Sequence, residues 1–365
     1  MDLTASLLAA RDRSVAAAEW TALESRLAPV PVAVGWAWTE AWLGRFGDVV
    51  PHRFVVVRRG SEVVATALIT RSTSGPRALC VRRLHLGTAG EPADETVFVE
   101  YNDILCVPAD RTAVCATIAR TLESIPRWDE LQLDGVAPAT AHAFAAAIPV
   151  ELRESASWTV RLQPDRPVVD SLGRSTRRLV RQAVAALSPG EPERAESVPQ
   201  ALEILEELTA LHQRRWEGAG EAGAFASARR LGFVRDALSV LLPTQRAAAF
   251  RLAGPEGTIG CAVGWVDDGR FLYYQGGFRQ YDDVRKRAGL LSHVLFAESC
   301  RRAGLVEYEL LAGDAQYKLQ LSAGERNTLL WGRHRRPGWR TQVLASARRL
   351  RDAREATQAP EAATA

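Results

Sequence analysis

The sequence predicts an α/β fold in two domains, and three observations carry that reading. The chain has 365 residues, about twice the length of a common domain. Strand-like apolar runs alternate with helix-period segments in both halves. The composition changes near the middle, at the proline-bearing segment QPDRPVVDS (Gln163 to Ser171). We therefore expect an N-terminal domain over 1–165, a C-terminal domain over 166–350 and a disordered Ala-, Glu- and Pro-rich tail over 351–365.

Each element has a local reason. The first half opens with a helical stretch to about Leu27, followed by the aromatic cluster GWAWTEAWLGRFG (Gly35 to Gly47). Phe54 to Arg59 and Val63 to Thr70 are β-rich runs joined by Gly60-Ser61, a hairpin pattern. Asn102 to Val107 reads as a strand, Arg111 to Ser124 as an Ala-rich helix and Glu130 to Leu133 as a strand. Ala139 to Ala147 is a helix behind Pro138, where a helix start tolerates proline, and Trp158 to Leu162 is a strand. Three helices follow the break, at Leu172 to Leu187, Pro199 to Trp216 and Ala226 to Leu242. Strands at Ala248 to Ala253, Thr258 to Val266 and Phe271 to Phe278 are separated by the turn signals GPEG and DDG. A helix from about Gly289 to Arg302 stops at Gly304, and strands at Glu307 to Leu311 and near Thr328 to Gly332 complete the set.

Composition excludes several classes. The apolar share is 47% and the charged share 24%, which excludes a disordered chain, a collagen-like repeat and a disulfide scaffold. The five cysteines, Cys80, Cys106, Cys115, Cys261 and Cys300, form no CxxC pair, so a reducing, cytoplasmic setting is expected. The six histidines are scattered without HExxH spacing, so no metal is expected. There is no GxSxG elbow, no Walker loop and no dinucleotide fingerprint after a strand. A net charge of +3 gives no case for DNA. The start, MDLTASLLAARDRS, has no basic residue before its apolar stretch, and no apolar run approaches the eighteen residues or so that a membrane span needs.

Two segments carry chemistry. In FLYYQGGFRQYDDVRKRAGLL a strand ends, a loop presents Arg285, Lys286 and Arg287, and a helix opens near Gly289 with no acid in its first turn. A helix N-terminus offers unpaired N–H groups and a positive dipole end, and three cations add to it, so a site for an anion of pyrophosphate size is expected. A solvated basic loop would leave the same trace. In YELLAGDAQYKLQL, Asp314 is expected to cap a short helix that places Tyr317 and Lys318 one turn on, facing the same space. Of the 46 basic residues only Lys286 and Lys318 are lysines, where a compact ammonium matters.

With both segments in view, the layout from Phe250 to Trp331 resembles the GNAT superfamily of acyl-CoA-dependent acyltransferases. More narrowly, RSTRRLVRQAVAAL, LHQRRWEGAGEAGAF, YYQGGFRQYDDVRKRAGLL and YELLAGDAQYKLQL resemble CelD/BcsL-type acetyltransferases, which share a tandem-GNAT architecture with the FemAB transferases. The resemblance implies two GNAT-like domains in tandem, each a mixed, mostly antiparallel sheet flanked by helices. It implies a second-domain sheet splayed to admit a pantetheine arm, with Gln275 and Gly276 of the strand Phe271 to Phe278 beside the thioester. It places the cofactor's diphosphate on Arg285, Lys286, Arg287, Ala288, Gly289 and Leu290. Lys318 would match the lysine that the FemAB group places at its reaction centre. The chain departs from the family pattern in two places. The phosphate loop reads Lys286 to Leu291 where Q/R-x-x-G-x-G/A is usual, and no tryptophan follows Tyr317-Lys318.

Further candidates complete the expected site. Tyr273 and Tyr274 face opposite ways on their strand, so one of them reaches the cleft, and Tyr274 is taken as that residue. Asp103, Trp216, Phe225 and Arg178 are candidate acceptor contacts. Arg178 shares a helix face with Arg174, Arg177 and Arg181, which suits an anionic acceptor or RNA. The expected mechanism is direct attack of an amine or hydroxyl on acetyl-CoA or another acyl-CoA. Asp314 or a water takes the proton, Lys318 and backbone N–H groups hold the oxyanion, and Tyr317 protonates the thiolate. The acceptor expected is a small molecule, sugar or peptide, with polysaccharide or peptidoglycan precursors suggested by the resemblance. The alternatives are a FemAB-like transfer from aminoacyl-tRNA and a non-catalytic subunit of a polysaccharide machine.

Overall fold

Alternating apolar residues build one large sheet, and the helices between strands bury its two faces. The computed structural model of the protein describes residues 2–75, 80–313, 315–338 and 340–343; Asp314 and the tail expected over 351–365 lie outside the described residues. The first half runs β1 (Leu3–Ala9), α1 (Arg13–Leu27), α2 (Trp36–Phe46), β2 (His52–Arg59), β3 (Glu62–Ser74), β4 (Val81–Leu86), β5 (Leu105–Cys106), α3 (Arg111–Leu122), β6 (Glu130–Val136), α4 (Pro138–Ala147) and β7 (Glu151–Arg161). The second runs α5 (Val168–Ser171), α6 (Arg174–Leu187), β8 (Glu193–Arg194), α7 (Val198–Gly218), α8 (Ala228–Leu241), β9 (Ala247–Gly254), β10 (Gly257–Asp267), β11 (Arg270–Phe278), α9 (Ala288–Arg302), β12 (Glu307–Ala312), α10 (Gln316–Ser322) and β13 (Arg326–Arg335).

Three expectations are corrected. The N-terminal stretch is not helical throughout: Leu3 to Ala9 form an edge strand on β2, in register from Leu3↔Arg59 to Ala9↔Arg53. Leu3, Ala5 and Leu7 alternate onto the core, and this pairing outweighs the helix propensity of Ala and Leu. Between Asn102 and Val107 only Leu105–Cys106 pairs as a strand, while Asn102 makes a lone bridge to Val136. The N-cap position of the short helix after β12 is Ala315, which makes no side-chain cap bond.

The strand order is β1-β2-β3-β4-β6-β13-β7-β12-β11-β10-β9-β8, with β5 beside β3. Each half lays down antiparallel strands and then crosses through a helix to a parallel neighbour, β4 to β6 and β11 to β12. The last strand of each half then pairs into the other. β7 lies against β12, β13 lies against β6, and β7 and β13 pair with one another. The two halves are thus sewn into one sheet by the exchange of β7 and β13.

A shared core joins the halves as well. Trp38 of α2 meets Phe233 of α8 and Trp265 of β10 edge-on, at ring-centroid distances of 4.8 and 5.3 Å. Arg45 of α2 holds Asp236 of α8 by two bonds of 2.6 and 2.8 Å. At the exchanged strands the polar group that matters is Glu309 on β12. It is fully buried, and its carboxyl accepts from Ser157 Oγ of β7 at 2.5 Å and from Asn327 Nδ2 of β13 at 2.8 Å. Burial outweighs these bonds and pushes its pKa up to about 7.

A raised carboxyl pKa means that the folded state binds more protons than the unfolded one between about pH 4 and pH 7. Its stability contribution is full below the unfolded value and is lost as pH rises through the folded one. Glu91, raised to about 7 chiefly by burial, acts in the same direction. The melting midpoint is therefore expected to fall from pH 5 to pH 8, and Glu309→Gln, with no proton to lose, to flatten that fall. Thermal unfolding across this range checks it; parallel profiles for the two proteins would exclude Glu309 as a source.

Candidate functional site

β11 and β12 begin as a parallel pair and then separate. Their register covers Arg270↔Glu307, Phe271↔Tyr308 and Leu272↔Glu309 only. Beyond that, β11 pairs with β10 alone and β12 with β7 alone. A cleft of about 590 Å³ opens where the strands part. Both strands are irregular at this point. β11 carries a bulge at Tyr274, since Val263 faces Gln275 and Gly264 faces Tyr273. β12 carries one at Leu310, and Leu311 next to it has a positive φ of 63°. A non-glycine residue in that region costs of order 1–3 kcal/mol and persists only where its surroundings impose it.

The strained end of β12 holds two charged side chains. Lys318 of α10, buried, donates from Nζ to the carbonyls of Leu311, at 3.3 Å, and of Ala312. On the other side, the Ala312 N–H donates to Glu100 Oε2 at 2.9 Å. Glu100 comes from the first half, and burial raises its pKa against the lowering effects of the Ala312 N–H and the Lys318 charge. Both residues line the cleft. Glu100 sits on a loop fixed by Tyr274, whose hydroxyl donates to the Val97 carbonyl at 2.6 Å. Phe98 and Tyr101 of that loop have φ of 53° and 58°.

An aromatic stack forms the wall on the α9 side. Tyr317 stacks on His293 at 5.2 Å and 16°, and Tyr273 meets the same ring edge-on at 4.6 Å. His293 Nδ1 lies 3.0 Å from the Tyr308 hydroxyl. Burial, with a lesser effect from Lys318, pushes the His293 pKa down to about 3, so the ring is neutral. Burial pushes Tyr317 up to about 12, so it keeps its proton. Opposite, Arg215 and Trp216 at the end of α7 line the cleft, and Trp216 Nε1 donates to His212 at 3.0 Å.

The first turn of α9 closes the far end. Gly289 and Leu290 line the cleft, no side chain caps the helix and its first turn holds no acid. A side chain at Gly289 would meet only the Phe278 ring, at 3.5 Å. At Gly276 a Cβ would fall 2.4 Å from the Tyr273 hydroxyl, so β11 needs glycine there. The upstream cations are largely engaged. Arg285 pairs with Asp283 at 2.8 Å, and Lys286 pairs with Glu256 at 2.7 Å and lies over the Tyr281 ring. Arg287 is exposed and makes no side-chain bond among the described residues.

The residues expected from sequence thus divide. Tyr274, Gln275, Gly276, Gly289, Leu290, Trp216, Tyr317 and Lys318 share one cleft. Arg285, Lys286 and Arg287 precede α9 and do not line the cleft, and Ala288, the first residue of α9, is buried. Both Tyr273 and Tyr274 reach the cleft, because a gap between strands is bounded from both faces of the sheet. Three candidates sit elsewhere. The Asp103 carboxylate accepts from Arg111 at 2.6 Å and from Thr140. Phe225 is buried against His212 at 5.2 Å. Arg178 is exposed on α6. Sequence reasoning missed Glu100, Tyr273, His293 and Phe98; no local signal marks Glu100, which stands three residues before the Asp103 chosen in its place. Among the described residues no cluster of His, Cys, Asp and Glu could hold a metal, and no helix is long and apolar enough to cross a membrane.

Comparison with known proteins agrees with this architecture. Residues 171–319 match the family model of the acetyltransferase (GNAT) domain. No curated protein matches the chain in sequence. Among solved structures, FemX is similar over 91% of this chain and 98% of its own, with a TM-score of 0.57 and 10% identity. L-PGS from Bacillus licheniformis is similar over 91% and 95%, with a TM-score of 0.54 and 11% identity. A conserved protein from Bacteroides thetaiotaomicron is similar over 90% and 98%, with a TM-score of 0.53 and 11% identity. At these identities the likeness is one of fold, and it spans both halves. Residues 171–319 thus match the acetyltransferase (GNAT) domain, and the exchanged strands join this stretch to the first half in a fold like that of FemX and L-PGS.

Proposed function

We propose that the protein is an N- or O-acyltransferase that uses acetyl-CoA or another acyl-CoA, with residues 166–350 as the donor-binding domain and 1–165 as the acceptor side. The observation that carries this reading is the single cleft that joins the uncapped first turn of α9 to Tyr317 and Lys318 along the unpaired edge of β11. The residues suit such a donor. An unpaired strand edge offers N–H and C=O groups to an extended chain that carries amides of its own. A helix N-terminus with Arg287 beside it suits a diphosphate.

When bound, the thioester supplies an activated acyl carbon. Glu100 takes the proton of the attacking amine or hydroxyl, and its raised pKa makes it a stronger base than an ordinary carboxylate. Lys318 and the backbone near Gly276 stabilise the oxyanion. Tyr317, whose pKa of about 12 keeps it protonated, hydrogen-bonds the departing sulfur. Tyr274 positions the loop of Glu100. The acceptor enters past Phe98 and Trp216; a sugar or peptide of cell-envelope or polysaccharide synthesis is what the CelD/BcsL resemblance suggests. A second reading, transfer from aminoacyl-tRNA, is favoured by α6, where Arg174, Arg177, Arg178 and Arg181 make no ion pair or side-chain hydrogen bond among the described residues.

Thermal shift separates these readings, because a ligand bound only by the native state raises the midpoint. CoA should raise it, and a shift with tRNA alone that collapses with salt would favour the second reading. By calorimetry, Arg287→Glu is expected to weaken CoA binding by at least about tenfold, or 1.4 kcal/mol; equal affinities would remove the diphosphate from this end. In acyl transfer, Lys318→Ala should lower turnover more than roughly tenfold. Glu100→Gln should lower it roughly a hundredfold and abolish the loss of rate on acidification that a base with a raised pKa gives. Wild-type pH–rate profiles in Glu100→Gln would take the proton transfer away from Glu100.

A further inference from the structure

A second, larger cavity of about 1020 Å³ lies on the first half of the sheet. Ser72, His85 and Asp134, from the adjacent strands β3, β4 and β6, are among the side chains that line it. Asp134 Oδ2 lies 2.8 Å from His85 Nδ1, and Ser72 Oγ lies 2.8 Å from His85 Nε2. An ionised carboxylate can only accept, so Nδ1 carries a proton, and in the neutral ring Nε2 then presents its lone pair to the Ser72 hydroxyl. Nucleophile, base and orienting acid stand in the order that activates a serine, and such a set is recognised by geometry rather than by sequence position.

The surroundings hold this arrangement. His85 pairs in register with Thr70 on one side and Gln132 on the other, so Ser72 and Asp134 are its diagonal neighbours on the same face. Thr70 Oγ1 donates to the Ala89 carbonyl at 2.6 Å, which pins the next loop. In that loop Gly90, at a φ of 88°, packs so closely that a Cβ would lie 3.2 Å from His85 Cδ2. β6 bulges at Asp134 and Gly135, the latter at a φ of 58°, a device that re-aims side chains beside active sites. Arg83, the register partner of Ser72, also lines the cavity, its guanidinium paired with Glu130 at 3.0 Å and bonded to Ser74 Oγ at 2.6 Å. Val49, Pro51, Phe98 and Trp331 give the cavity apolar walls.

We propose that Ser72, His85 and Asp134 form a second catalytic centre, a serine esterase that cleaves carboxylic esters, independent of the donor assigned to the cleft. Ser72 Oγ bonds to the ester carbonyl carbon as its proton passes to His85 Nε2. The ester C–O bond breaks, and the imidazolium returns that proton to the leaving alcohol. Water then attacks the acyl-serine, gives one proton to His85 and releases the carboxylic acid, and Ser72 recovers its proton from the imidazolium. The sum is ester plus water to acid plus alcohol.

The test uses the full chain with a fluorophosphonate probe, peptide mapping by mass spectrometry, and hydrolysis of p-nitrophenyl acetate. One phosphonyl adduct on Ser72 is expected in the unaltered protein. Ser72→Ala should lose both the adduct and the nitrophenolate release. Asp134→Asn should slow labelling by at least about a hundredfold, the scale of a mis-set histidine tautomer, with circular dichroism and melting midpoint unchanged. No adduct, an adduct on another residue, undiminished hydrolysis by Ser72→Ala, or labelling of Asp134→Asn at the original rate would each overturn the proposal.

Discussion

A strand has two edges, and each backbone N–H and C=O along them needs a partner when it is buried. β12 spends one edge on β7 along almost its whole length and gives the other to β11 for three residue pairs only. The divergence is enforced at the far end. The Leu311 and Ala312 carbonyls are drawn to Lys318, and the Ala312 N–H is drawn to Glu100. Groups committed there are not available to β11. The gap, the left-handed Leu311 and the charged pair at its end are therefore one arrangement.

That arrangement depends on both halves of the chain. β12 is held against β7, a first-half strand, and Glu100 comes from a first-half loop tied down by Tyr274 of the second half. The buried Glu309 accepts from β7 and β13 at once, so the exchanged strands meet at one carboxyl. Loosening the seam would unseat Ala312 and with it both Glu100 and Lys318. Here the stability of the strand exchange and the geometry of the cleft rest on the same contacts.

The two cavities adjoin through the loop that carries Phe98 and Glu100, residues that line both. The walls differ in kind. The second-half cleft offers backbone edges, a helix terminus and a lysine, which suits an extended anionic ligand. The first-half cavity offers a hydrogen-bonded Ser72–His85–Asp134 chain on a sheet face with apolar surroundings. The two halves present different chemistry along one sheet.

The sequence alone determined much of this. Because strand and turn preferences act over a few positions, alternation and turn residues placed the β9–β10–β11 ladder to within about a residue and the β2–β3 hairpin at its turn, though β3 runs on from the expected Thr70 to Ser74. Lys318 beside Tyr317, and Gly289 opening a helix, were legible for the same reason. Tertiary structure decided the rest. Leu3 to Ala9 became a strand because β2 offered an edge. Asp103 yielded to Glu100, whose bond to Ala312 spans 212 positions. Ser72 met His85 and Asp134 only where three strands came into register. Nothing in local period or propensity carries such contacts; they exist once the sheet has set which strands are neighbours, and hydrogen-bond geometry then decides which side chains meet.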